Sequence, residues 1–458
     1  MNEITVDIDL VKKYNIPGPR YTSYPPAVHF SNSIKWEDIK QEIERNNGQE
    51  GDLSLYFHIP FCYSLCWFCG CTSIITPNVK QSSTYINYLE KELDIVAPLL
   101  NPKRKVVQLH LGGGSPTFMP VGDIERLGEL IHKRFTFSDD IEAGVEMDPR
   151  RMIREQVKAF RNIGFNRASL GVQDFNPKVQ KAVHRIQPKE MTSEVIGWIR
   201  EFGFQSLNID LIYGLPFQTP DSFEKTIDDV LEFKPDRFAV FSYAHVPWIK
   251  PSQKIFEYKQ NLLSPETKFQ LLKLVTEKLT RSGYVYIGMD HFALETDELV
   301  KAQRTRTLQR NFQGFSTRAG ADIYAFGMSS ISQTDSAYWQ NHKDLKTYYS
   351  MLDNGVLPLV RGFILSDDDK IRRITIMRLM CDLGLNYSQM SQILRIDFEK
   401  YFEKEIDSLA DLEEDNLVKR TDEGIEITHL GRLFIRIVAM RFDAYLPKMK
   451  ERKFSRTI

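Results

Sequence analysis

Four cysteines fall within ten residues, Cys62, Cys66, Cys69 and Cys71, in the run His58-Ile-Pro-Phe-Cys-Tyr-Ser-Leu-Cys-Trp-Phe-Cys-Gly-Cys71. The 458-residue chain holds only five cysteines, so the crowding belongs to this segment and not to the composition. The first three are spaced C-x3-C-x2-C. Thiolates this close can each take one iron of a cubane and leave the fourth iron open to a substrate or cofactor, whereas a fully ligated cluster serves electron transfer. A structural zinc site uses two separated Cys/His pairs, and no second pair exists; the nearest histidine, His58, lies on a strand-like run before Cys62. A disulfide framework suits a small secreted domain, not a chain of this length and cysteine content.

Further polar residues recur where apolar runs end. Gly112-Gly113-Gly114-Ser115 follows one such run, and glycines let backbone approach a ligand closely. Glu146, Gln173 and Asp210 sit in or at the ends of three more, where an unpaired polar group would be costly to bury. Placed on one rim, they favour a shared site over separate core networks. Arg185, in Val-His-Arg-Ile186, is a candidate bidentate partner for a carboxylate.

The elements that must position these residues read as alternating strands and helices. Strand-like runs are Leu53–Pro60, Val106–Gly112, Ile141–Asp148, Arg167–Gln173, Leu207–Tyr213 and Arg237–Tyr243. Amphipathic helical patterns lie between them at Tyr85–Leu100, Ile124–Phe135, Arg154–Ile163, Ser193–Phe202 and Phe223–Phe233. Such alternation predicts parallel βαβ units, in a partial barrel or open sheet whose site lies at the C-terminal strand ends. The cysteine run begins where the first strand ends.

Ser264-Pro265 predicts the start of a long helix, and Tyr284–Phe292 reads as one more strand. Residues 295–345 look irregular. Helical patterns at Lys370–Met380, Tyr387–Leu394 and Phe402–Asp411 lead to a hairpin turning at Asp422-Glu-Gly424, which together suggest a small winged-helix-like module. Its acidic content argues against DNA binding and for a structural or lid role.

Formal net charge is -1 and hydrophobic content 42%, which gives no global pull toward nucleic acid or membrane. No apolar run approaches the length of a bilayer span, and the acidic start Met-Asn-Glu-Ile-Thr-Val-Asp7 lacks a signal-peptide pattern. A cytoplasmic, reducing location is expected.

The cysteine run, following a strand and Pro-Phe, resembles the radical S-adenosylmethionine (SAM) signature. The likeness narrows further. Tyr56-Phe-His-Ile-Pro-Phe-Cys62, Cys-Trp-Phe-Cys-Gly-Cys71, Gly-Pro-Arg-Tyr-Thr-Ser-Tyr-Pro25, Gly-Val-Gln-Asp-Phe-Asn176, Asn-Ile-Asp-Leu-Ile-Tyr-Gly-Leu-Pro216, Gly-Met-Asp-His-Phe292 and Arg-Asn-Phe-Gln-Gly314 resemble the oxygen-independent coproporphyrinogen III oxidases. That resemblance implies an α/β fold, a partial parallel (βα)6 barrel of radical SAM type. It divides the chain into an N-terminal arm (1–45) over the active site, a catalytic domain (46–350) and a small, mostly helical C-terminal domain (360–458). It implies Cys62, Cys66 and Cys69 as ligands of one [4Fe–4S] cluster, with Cys71 a non-ligand and a candidate for a catalytic part. It implies Tyr56, Gly113, Gly114, Ser115, Glu146, Gln173, Arg185, Asp210, Ala244 and Ile331 as SAM contacts and Gln313 as a residue near a second SAM, two SAM molecules in all. Leu111, Ser115 and Trp67 are mild departures from the family's common residues.

The reaction implied converts two propionates of coproporphyrinogen III to vinyl groups in haem synthesis. Reductive cleavage of SAM gives a 5′-deoxyadenosyl radical, which takes a hydrogen from the propionate β-carbon; an electron and carbon dioxide then leave. The implied partners are the porphyrinogen and an electron donor and acceptor that the sequence does not identify, with no nucleic acid, no membrane span and a monomeric chain. Arg20 is a candidate anchor for substrate carboxylates on motif position. A haem-delivering relative would lack Cys71 and have a shorter arm; a related radical SAM methyltransferase is the other rival.

Overall fold

A computed structural model of the chain describes residues 6–48, 51–258, 262–449 and 454–456. The first five residues of the acidic start lie outside the described residues, as do the last two of the chain.

The expected strands form as Leu53–Ile59, Val106–Gly113, Phe137–Met147, Arg167–Gln173, Ser206–Tyr213 and Arg237–Ser242, paired side by side and parallel throughout. Their apolar residues (Leu55, Phe57, Leu109, Leu111, Leu170, Ile209 and Leu211) are buried, as a sheet covered by helices requires. The connecting helices start where their caps dictate. Ser264 accepts from the Thr267 N–H ahead of Pro265, opening Pro265–Arg281, and Thr219 does the same for Ser222 ahead of Pro220.

Three elements depart from expectation. Among the described residues the sheet has twelve strands, more than the seven strand-like runs of the sequence. Asp322–Phe326 lies parallel to the first strand on its free side, and Ile331–Gln333, Ala337–Asn341 and Leu359–Ile364 continue it antiparallel. These strands fall mostly in the stretch that reads as irregular, because buried Ser332, Gln333, Gln340 and Asn341 interrupt their apolar pattern. The Tyr284–Phe292 run is a hairpin, Tyr284–Gly288 and His291–Leu294, turning at Met289-Asp290. The Phe402–Asp411 pattern breaks into Glu403–Asp407 and Ala410–Glu414.

The arm is more structured than its sequence suggests. Helix Ile8–Tyr14 and the residues after it bury Val11, Tyr14, Tyr21 and Tyr24 in an apolar cluster shared with Phe398, Phe434, Ile437 and Phe442 of the C-terminal region. Helix Trp36–Asn46 packs Ile39 and Ile43 against the main core, and Ser31 bridges Gly362 on the edge strand, so that edge is not left open. The C-terminal region contributes helices Asp367–Asp382 and Tyr387–Leu394 and a three-stranded sheet of Gly384–Asn386, Gly424–Ile427 and Val418–Thr421.

Buried Arg436 ties arm to C-terminal region. It donates through Nε to the Pro19 carbonyl (2.9 Å), through Nη1 to the Arg456 carbonyl (2.9 Å) and through Nη2 to the Gly18 carbonyl. Arg436→Met keeps much of the volume but strands these acceptors. It is expected to cost about 3 kcal/mol and to speed tryptic cleavage in the arm at Lys12, Lys13 and Arg20. Unchanged melting and protection would mean that apolar contacts alone hold the arm.

Candidate active site

The cysteine loop leaves the first strand at its C-terminal end and has little regular structure beyond the short pairing of Phe61–Cys62 with Ile74–Ile75. Its neighbours fix it. The Trp67 N–H donates to the Val183 carbonyl (3.0 Å) and Gln253 Nε2 to the Phe68 carbonyl (3.1 Å). Lys250 Nζ donates to the Cys71 carbonyl (2.6 Å). His58 Nε2 lies 2.9 Å from the Thr72 carbonyl, and His184 Nδ1 lies 2.8 Å from that of Leu65.

One cavity of about 170 Å³ brings together the four cysteines with Gly113, Gly114, Ser115, Glu146, Gln173, Arg185 and Asp210. Apart from Asp210, which lies within the strand Ser206–Tyr213, each of these non-cysteine residues is at, or one connection beyond, the C-terminal end of a parallel strand. All the cysteines are free thiols. Among the described residues no three His, Cys, Asp or Glu groups converge as a single metal ion requires. A cubane does not need that convergence, since each thiolate binds its own iron. The three thiolates fit an iron–sulfur cluster. The Cys71 thiol hydrogen-bonds the Cys69 sulfur, and the Cys71 N–H lies 3.4 Å from it; against the effect of burial, this draws the Cys69 thiol down to about 6. Burial first, then the neighbouring Cys69 charge, pushes Cys62 up to about 12.

The polar wall is arranged for a zwitterion. Glu146 Oε2 accepts from the Gly113 N–H (3.2 Å), and Oε1 lies 3.2 Å from His110 Nε2. Burial alone would raise this carboxyl, but the His110 and Gly113 hydrogen bonds bring it below its ordinary value. Arg185 donates through Nη2 to the Gly171 carbonyl (2.6 Å) and to Asp148 Oδ1 (3.4 Å), and Nη1 lies 3.7 Å from Cys66 Sγ. Its Nε is buried with no partner, as is Gln173 Oε1. Such orphaned groups fit a polar ligand that would satisfy them. Asp210, held by Asn208 Nδ2 (2.7 Å), is pushed up to about 7 by burial and then by the Glu146 charge. The glycines leave no spare room: a Cβ at Gly112 would stand 2.7 Å from Glu146 Oε1, and Gly113 has φ +120.

Four expected contacts lie elsewhere. Tyr56 is behind the cavity, stacked on His110 at 5.9 Å and bonded to His58 Nδ1 at 3.1 Å. Ala244 lines a second cavity. Gln313, in the turn after Asn311, has both side-chain polar atoms buried without partners. Ile331 packs with Phe30 and Tyr338. Sequence reasoning missed Asp148 and Arg150. Asp148 takes Arg150 through Oδ2 (2.6 Å) and Arg185 through Oδ1, and despite burial the two arginines hold its carboxyl well below the usual range. In sequence it reads as the end of the Ile141–Asp148 strand; in the structure it also caps the short helix Pro149–Arg151.

This barrel and thiolate loop define a radical SAM protein, and residues 56–230 match the Radical SAM superfamily model. Residues 365–434 match the HemN C-terminal domain. The chain is 43% identical over 98% of its length to the oxygen-independent coproporphyrinogen III oxidase of Synechocystis, covering 97% of that protein. It is 44% identical to the Escherichia coli protein of the same name, with 100% of each chain covered. The solved structure of the Escherichia coli coproporphyrinogen III oxidase HemN, a radical SAM enzyme, superposes with a TM-score of 0.92 over 97% of this chain and 100% of that one. The chain belongs to the oxygen-independent coproporphyrinogen III oxidases. As a radical SAM protein it uses a [4Fe–4S] cluster and SAM.

Gly112→Ala is expected to push the Glu146 carboxylate off the Gly113 N–H and to weaken SAM binding by at least ~10-fold, about one charge-assisted hydrogen bond. Equilibrium dialysis on the reconstituted protein reads this directly. Unchanged affinity would remove Glu146 from the SAM site.

Proposed function

We propose that this chain carries out the oxygen-independent oxidative decarboxylation of two propionates of coproporphyrinogen III to vinyl groups, giving protoporphyrinogen IX in haem synthesis. The observation that carries this reading is the joining of the three-thiolate loop to a glutamate–arginine cavity within a chain whose relatives at 43–44% identity match it end to end. The same end-to-end match leaves no support for a haem-delivering or methyl-transferring protein.

Cys62, Cys66 and Cys69 hold the cluster, and Cys71 serves the site through its hydrogen bond to Cys69. When bound, the cluster and SAM supply the 5′-deoxyadenosyl radical that takes a hydrogen from the propionate β-carbon. The protein orients and shields. Glu146, fixed by His110 and the Gly113 N–H, receives the SAM amino group. Arg185, whose Nε has no partner among the described residues, receives its carboxylate. Gln173, Asp210, Ala244, Gln313 and Ile331, with Tyr56, Gly113, Gly114 and Ser115, complete the contacts of two SAM molecules. The orphaned atoms of Gln173 and Gln313 support this part of the reading. The arm, docked on the C-terminal region by Arg436, covers the barrel mouth and keeps water from the radical. The enzyme works as a cytoplasmic monomer with a separate electron donor and acceptor. No helix among the described residues is long and apolar enough to cross a membrane.

Anaerobic reconstitution with SAM, a reductant and coproporphyrinogen III tests the reaction. Protoporphyrinogen IX is the expected product, and a methylated porphyrin or unchanged substrate would refute it. Single Cys62, Cys66 or Cys69→Ser variants are expected to lose iron and SAM cleavage, while Cys71→Ser keeps the cluster absorbance. Iron loss in Cys71→Ser would make it a ligand. Arg185→Lys is expected to raise the SAM Kd ~10-fold despite the kept charge, because Lys cannot fork onto a carboxylate; a wild-type Kd would remove Arg185 from the contact.

A further inference from the structure

A second and larger cavity, of about 600 Å³, opens beside the cluster site beyond the C-terminal ends of strands Ser206–Tyr213 and Arg237–Ser242. The segment after Ser242 links the two. Ala244, His245 and Trp248 wall the larger cavity, while Lys250 and Gln253 of the same segment hold the cysteine loop.

The cavity is apolar in body and cationic at its edges. Tyr213, Leu263 and Phe269 line it, and Trp248 and Leu262 on its rim are 70% and 41% exposed. Large apolar side chains left in water around a cavity mark a binding surface. Lys12, Arg20, Lys268 and Arg456 face it, with Glu266 the single carboxylate among its described lining residues. Arg20 is already paired with Asp290, and Lys12 with Asp9.

Lys268 and Arg456 differ from these. Lys268 Nζ donates to the Tyr243 carbonyl (3.1 Å) and Arg456 Nη1 to the Asn15 carbonyl (2.8 Å); neither has a carboxylate partner among the described residues. The two cations repel: burial first, then the Arg456 charge, lowers the Lys268 ammonium below its ordinary value. Two unneutralised cations beside an apolar cavity call for an anion on an apolar body. Arg456 comes from the C-terminal tail, whose Ser455 carbonyl accepts from the Gly18 N–H (3.1 Å), so tail and arm form one wall.

We propose that this cavity binds the tetrapyrrole, and that Lys268 and the tail residue Arg456 anchor propionate carboxylates that stay unreacted. The proposal rests on the coproporphyrinogen reading and deepens it. It gives the C-terminal tail a part in substrate binding, and it makes substrate affinity fall as ionic strength rises.

The test is anaerobic steady-state kinetics of Lys268→Gln, Arg456→Gln and Arg456→Lys, with Lys301→Gln on a remote helix as control and iron content as the check on folding. Each Gln variant is expected to raise the KM for coproporphyrinogen III about 10-fold, the loss of one charge-assisted contact. The KM for SAM should stay at the wild-type value. Arg456→Lys should restore most of the substrate KM, and Lys301→Gln should match wild type. Arg456 lies exposed in the tail, so its variants do not threaten the fold if Lys268→Gln loses iron. A substrate KM unchanged in both Gln variants overturns the anchoring, and a rise in the KM for SAM instead assigns the cavity to cofactor. Wild type that makes no protoporphyrinogen refutes the function itself; active wild type with unaffected variants refutes only the anchors.

Discussion

Everything in this molecule depends on holding three thiolates at fixed places on a loop that cannot hold itself. Between Pro60 and Ile74 the loop has almost no ladder of its own, yet the proposed cluster asks Cys62, Cys66 and Cys69 each to face a separate iron. The barrel does this by lending partners. Backbone of Val183 and side chains of His58, His184, Lys250 and Gln253 each take one point on the loop. These partners come from the first strand, from the connection after the fourth parallel strand and from the segment after the sixth, so the loop is set only when the sheet is complete.

The same constraint explains the tightness around the cavity. A Cβ at Gly112 would displace the Glu146 carboxylate and one at Gly113 would meet the His58 ring and the Ile59 carbonyl, and the Gly113 N–H itself becomes a donor to the carboxylate. Arg185 is pinned by Gly171 and Asp148, with its Nε left without a partner among the described residues. A glutamate and an arginine fixed by their own partners before any ligand arrives lose little order on binding, which is how a small polar zwitterion can be oriented to within the tolerance that radical transfer demands. Beyond this polar pocket the lining becomes larger, more apolar and cationic, as the proposed placement of a small cofactor beside a broad polyanion would use.

Much of this was legible in the sequence, for physical reasons. Parallel strands buried on both faces read as apolar runs, so all six parallel strands of the barrel could be placed to within a few residues. Polar groups at their ends stood out against that background, and Gly113, Gly114, Ser115, Glu146, Gln173, Arg185 and Asp210 do share one cavity with the cysteines. What stayed hidden had weaker local signals. Strands Asp322–Phe326 through Leu359–Ile364 bury hydrogen-bonded Ser, Gln and Asn, which breaks the apolar pattern that marks a strand. In sequence Asp148 reads only as the end of a strand, and its pairing appears only when Arg185 arrives from another unit. The arm's helix Trp36–Asn46 shows few apolar residues because it buries only one narrow face. The pairing of the C-terminal tail with the arm joins residues at opposite ends of the chain, and no local pattern encodes that.

The central claim is that three cysteines leave one iron open to SAM. An iron Mössbauer spectrum of the anaerobically reconstituted protein, taken before and after adding SAM, tests it most directly. The account predicts that about a quarter of the iron signal, one site of the cubane, moves to parameters of a higher-coordinate iron when SAM binds, while the rest stays in place. Four irons that remain unchanged in the presence of saturating SAM would contradict it.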